Sequence, residues 1–149
     1  MHKWIAWTGV LVWMGLIFYL SHQPATESSE LSRGITETIV KTIESVAPST
    51  EFNIANFNHL VRKNAHFFAY LVLGVLVIYA LKRSEVSGIR AIVTALVICI
   101  LYAISDEVHQ LFIPGRSGEI RDVIIDSAGS SVGIALIMFI DRLVRRKKT

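Results

Sequence analysis

The chain of 149 residues holds a single cysteine, Cys99, and few charged side chains: 18%, against about 25% in soluble domains. One thiol excludes an intrachain disulfide and a cysteine-rich metal site. The shortage of charge goes with 52% hydrophobic residues, which excludes a disordered chain and argues against an ordinary soluble globule. Also missing are an internal repeat, a low-complexity tract, an H-E-x-x-H metal motif, a serine nucleophile elbow and a glycine-rich phosphate loop. No familiar catalytic signature therefore marks an enzyme.

What the chain does have is four charge-free, mostly apolar runs, at residues 4–20, 65–81, 91–105 and 127–140. A membrane-spanning helix needs about 20 residues, within a range of about 17–25. The first two runs nearly meet this unaided. The third reaches it by growing through Asp106 and Gln110 toward Phe112. The fourth does so by starting near Asp122, because Val123, Ile124 and Ile125 are apolar. The expectation is an all-α chain, a four-helix integral membrane bundle, forming one domain over residues 1–149. Its helices should lie near residues 4–20, 57–82, 89–112 and 122–142. The first run is longer than a signal-peptide core, and Ser21-His22-Gln23-Pro24 offers no small-x-small cleavage site, so it reads as a retained helix.

Charge distribution sets the orientation. With the amino terminus inside, the inner segments carry Lys3, Lys82, Arg83, Arg90, Arg142, Arg145, Arg146, Lys147 and Lys148 against two acids, Glu85 and Asp141. The outer segments carry six basic residues against ten acids. The positive-inside rule then places both termini in the cytoplasm and the protein in the cell membrane as a multi-pass chain. The net charge of +3 is a topology signal and calls for no nucleic acid partner. The one long connection, residues 21–62, lies outside. There Leu31, Ile35, Ile39 and Ile43 recur every four positions until Pro48, which predicts a short amphipathic helix in the first extracytoplasmic loop. Packing on the bundle is favoured over lying on the membrane surface.

Ionisable residues gather at the outer ends of three spans. Lys63, His66, Tyr70 and Gly74 share one face at spacings of three and four. Tyr102, Asp106 and His109 share another, with Gln110 beside them and Glu107 turned toward Gln110. Asp122, Asp126, Gly129 and Gly133 form a narrow stripe. Gly129-x-x-x-Gly133 admits close approach of a second helix, so the face carrying the two aspartates should point into the bundle, away from lipid. Arg116, in the turn Pro114-Gly115-Arg116-Ser117-Gly118, and Lys63 are the nearest cations by topology.

Arg116 can clamp a carboxylate or a phosphate with two prongs. Asp106, Glu107, Asp122 and Asp126 outweigh those two cations, so a bare anion would be disfavoured in a shared cavity. A divalent cation, an amine-bearing headgroup or a metal-bridged phosphate fits better. The structural alternative is a closed salt-bridge network pinning short helices together. For His66 alone, a helix-to-helix hydrogen bond outweighs metal ligation, and no cofactor is implied beyond such a cation. Trp4, Trp7, Trp13, Tyr19 and Tyr79 read as interfacial or packing aromatics, and Cys99 as an inert apolar filler.

The motif Lys63-x-x-His66-x-x-x-Tyr70, with Gly74 below it, resembles the second helix of the VanZ-like family. Asp106-Glu107-x-x-Gln110-x-Phe112-x-Pro114-Gly115-Arg116 is similar to that family's central signature. Asp122, Gly129 and Gly133 match its fourth helix, and Ser21-x-Gln23-Pro24 is similar to the end of its first. The resemblance covers nearly the whole chain and is weakest over residues 27–56. It implies a bacterial membrane protein whose relatives include one linked to low-level resistance to teicoplanin-type glycopeptides, without remodelling of the peptidoglycan precursor.

The resulting expectation is a non-catalytic envelope protein with an outward-facing polar cavity lined by Lys63, His66, Tyr70, Asp106, Glu107, Gln110, Arg116, Asp122 and Asp126. Its partner would be a membrane lipid headgroup or a lipid-linked envelope component. Two alternatives stand beside it: a metal-dependent enzyme acting on a lipid or phospho-lipid, and a structural module that docks another protein through the outer stripe. Gly129 and Gly133 could pack within one chain or between two, which leaves the oligomeric state open.

Overall fold

The structure is a computed structural model that describes residues 2–24, 26–27, 30, 33–34, 36–39 and 54–146. Four long helices organise it: α1 (His2–Ser21), α2 (Ile54–Arg83), α3 (Gly88–Gln110) and α4 (Ile120–Arg146). There is no strand among the described residues. At about 1.5 Å per residue, even the shortest helix is about 30 Å long, the thickness of a bilayer core. The apolar segments Lys3–Ser21, Lys63–Arg83, Gly88–Gln110 and Ile120–Val144 are each long enough to cross a membrane. The protein is a multi-pass membrane protein. Helices that are apolar on every side suit that setting, since their outer faces (Leu11, Val12, Val97, Leu101, Leu136) remain exposed on the bundle surface.

The helix ends follow local chemistry. α2 begins at Ile54, ahead of its apolar segment at Lys63. α3 ends at Gln110, where Phe112 N donates to the His109 carbonyl and Ile113 N to the Gln110 carbonyl, before Pro114. α4 starts at Ile120, because Asp122 N already donates to the Glu119 carbonyl at 2.9 Å. In the first loop, the described positions 26–27, 30, 33–34 and 36–39 are helical. Thr36 is buried there and Ile39 exposed. Leu31, Ile35 and Ile43 of the apolar stripe lie outside the described residues.

α2 is the hub. It packs against all three other helices, most extensively against α4, while α1 only grazes α3. Glycines set the α2–α4 seam. A Cβ on Gly129 or Gly133 would collide with the carbonyl oxygen of Phe67 or Leu71, and one on Gly74 with that of Ser130. The small-residue stripe is therefore satisfied within this chain. α3 contributes Ala91, Ala95, Cys99 and Ala103, one per turn and all buried. Side-chain donors tie α1 in place: Trp13 Nε1 to the Ala69 carbonyl (2.9 Å), Trp7 Nε1 to Ser84 Oγ (3.0 Å) and Tyr102 OH to the Met14 carbonyl (2.6 Å). Lys82 and Asp141 pair at the end of the bundle away from Lys63.

Candidate functional site

The buried stripe of α3 changes character as it continues. One turn after Ala103 come Asp106 and Glu107, then Gln110, and all three stay buried. Close helix packing thus carries polar groups into the bundle along the same line that buries the alanines. On the facing helices, spacings of three and four keep Lys63, His66 and Tyr70 on one side of α2, and Asp122 and Asp126 on one side of α4.

Each group then meets specific neighbours. Lys63 Nζ lies 3.1 Å from Asp122 Oδ1 and 3.4 Å from Glu119 Oε2, joining α2 to the start of α4. Asp122 also sits in the first turn of α4, where the helix dipole favours a negative charge. Asp106 Oδ2 accepts from Ser21 Oγ (2.9 Å) and Gln110 Nε2 (3.2 Å), which links α1 to α3. Glu107 Oε2 accepts the Glu119 backbone N–H at 2.9 Å and so docks the α3–α4 connection onto α3. Arg116 Nη2 donates to the Leu20 carbonyl at 3.4 Å. Gly115, at φ 75°, supplies the left-handed turn that brings Arg116 there.

A cavity of about 70 Å³ opens among these residues. Six of the nine site residues expected from sequence line it: Lys63, His66, Gln110, Arg116, Asp122 and Asp126. Tyr70, Asp106 and Glu107 do not. They are buried next to the lining residues rather than on the lining itself. Glu119 also lines the cavity, although it precedes the apolar run of the fourth span. Its only sequence signal is an acid one turn ahead of Asp122. Ser21 belongs to the Ser21-x-Gln23-Pro24 motif, yet nothing local marks it as a partner of Asp106. His22 and His109 form a further polar pair, with ring nitrogens 3.1 Å apart and stacked rings, flanked by Phe18.

Several polar atoms buried here have no hydrogen-bond partner among the described residues: Tyr70 OH, Asp106 Oδ1, Glu107 Oε1 and both carboxylate oxygens of Asp126. Burying such groups costs roughly 1–3 kcal/mol each when neutral and more when charged. His66, Asp106 and Asp126 each place one potential ligand atom within 4.8 Å of the others, a grouping able to hold a metal ion. The cavity can accept a small polar group bearing charges of both signs, with cations at Lys63 and Arg116 and acids at Glu119, Asp122 and Asp126. It has room for a few water molecules or a headgroup fragment, far less than a glycopeptide.

No curated protein matches the chain, and no solved structure does. The family model described as VanZ/LLP1 matches residues 6–141, which covers most of α1 and α4, all of α2 and α3 and every residue of the pocket, and the chain belongs to that family.

Proposed function

We propose that the protein binds the phosphate-bearing headgroup of a membrane lipid or lipid-linked envelope component at the outer face of the cell membrane, and that this binding lowers sensitivity to teicoplanin-type glycopeptides. Both termini then lie in the cytoplasm, in keeping with the excess of Lys and Arg in the segments on that side. The observation that carries the reading is the cavity at the polar end of the spans, the depth at which headgroups lie, with Arg116 and Lys63 on its lining beside three acids. A bare anion would meet a net negative wall. A zwitterionic headgroup matches it, with phosphate on the Arg116 fork and amine toward Glu119 and Asp122. Occupancy would act on glycopeptide sensitivity through the lipid presented, because the cavity is too small for the drug.

Native mass spectrometry of the purified protein with phosphatidylethanolamine and phosphatidylglycerol tests this. The expected result is retention of the former, reduced by Arg116→Ala in a protein of unchanged helix content, with a parallel loss of glycopeptide tolerance in cells. Equal retention of both lipids by the wild-type and the variant protein would overturn it.

A further inference from the structure

We propose that His66, Asp106 and Asp126 form a binding site for a divalent transition-metal ion of the Zn²⁺ or Mn²⁺ type, at the floor of the cavity. The three residues come from α2, α3 and α4, and their ligand atoms lie within 4.8 Å of one another. His66 Nδ1 stands 3.8 Å from Asp126 Oδ2. That is too long for a hydrogen bond. It is close to the separation of about 3.4 Å that two ligands reach across an ion at bond lengths of about 2.0–2.2 Å.

Two features favour a cation between these residues. Asp126 is 0% exposed, yet neither of its oxygens is hydrogen-bonded. Asp106 is held through Oδ2 alone by two donors, Ser21 and Gln110, which leaves Oδ1 without a partner. Donors on one oxygen fix the orientation of the carboxylate, the usual arrangement around a metal ligand.

One imidazole with two carboxylates suits a first-row transition ion better than Mg²⁺ or Ca²⁺, which prefer all-oxygen shells. Three protein ligands leave a coordination position open. Since His66 and Asp126 also line the cavity, that position faces the space where a polar group would enter. The site stands without any reading of the lipid ligand, and its test uses the metal alone.

The full-length protein in detergent is stripped with chelator, titrated separately with Zn²⁺, Mn²⁺ and Mg²⁺, desalted and assayed for bound metal. We expect one Zn²⁺ or Mn²⁺ per chain, little Mg²⁺, and a rise in thermal midpoint with the bound ion. Asp126→Asn and His66→Gln should each weaken binding tenfold or more, while Glu37→Gln, an acid in the first loop outside the cavity, leaves it unchanged. Co²⁺ bound to the wild-type chain gives a visible spectrum that reports the ligand set without any substitution. Absence of retained ion in the wild-type protein, or stoichiometric binding that survives both ligand substitutions, would overturn the site.

Discussion

Ser21 Oγ donates to Asp106 Oδ2 at 2.9 Å across 85 positions of sequence, so the last residue of α1 holds a buried carboxylate near the end of α3. α1 otherwise barely touches α3, and this bond is one of the few contacts that fix their relative depth. Ser21→Ala should lower stability in detergent by about 1–3 kcal/mol, the range for removing a donor from an acceptor that stays buried. Ser21→Thr, which keeps the donor, should recover most of it. Thermal unfolding followed by circular dichroism checks both.

The glycine seam gives a prediction with an internal control. Gly133→Val has to push the Leu71 backbone aside, and Gly129→Val the Phe67 backbone, because no flexible side-chain end stands there to give way. Each should cost about 1–3 kcal/mol or more. Gly9 has nothing within 4 Å of where its Cβ would sit, so Gly9→Ala should be neutral or slightly stabilising. A comparison of thermal midpoints separates seam from periphery.

Lys63 bridges α2 to Asp122 and Glu119 with little exposure of its own. Both acids keep some contact with solvent, which weakens the pairing. A double-mutant cycle of Lys63→Met with Asp122→Asn should give a coupling of about 0.5–1 kcal/mol. Lys63→Met alone should reduce phosphatidylethanolamine retention more than it reduces stability, which native mass spectrometry beside a melting curve would show.

The helices were legible because each carries its own signal, a charge-free apolar run that reaches bilayer length by itself or by extension through its charged end. Convergence of Asp122 and Asp126 toward the interior was legible for a related reason. The glycines that demand a neighbour share their face, and the structure supplies that neighbour in Phe67, Leu71 and Gly74 of α2. What sequence alone could not reveal was depth. Tyr70 shares a face with Lys63 and His66, but helical phase does not say which turn reaches a cavity and which is buried next to its lining. Ser21 and Glu119 were missed because their partners are distant in sequence or belong to the backbone: Asp106 for the first, and for the second Lys63 and the bond from its own N–H to Glu107.

The account rests on the polar pocket facing outward from the cell, and one accessibility measurement tests it. Cys99 is the only cysteine and is buried, so a Cys99→Ala background carries a single introduced thiol. Ser117→Cys lies exposed at the pocket rim, and Ser87→Cys lies exposed in the turn between α2 and α3 at the opposite end. With a membrane-impermeant maleimide on intact cells, the account predicts labelling at position 117, and labelling at position 87 only after permeabilisation. Labelling of position 87 from outside, with position 117 protected until the membrane is opened, would contradict it.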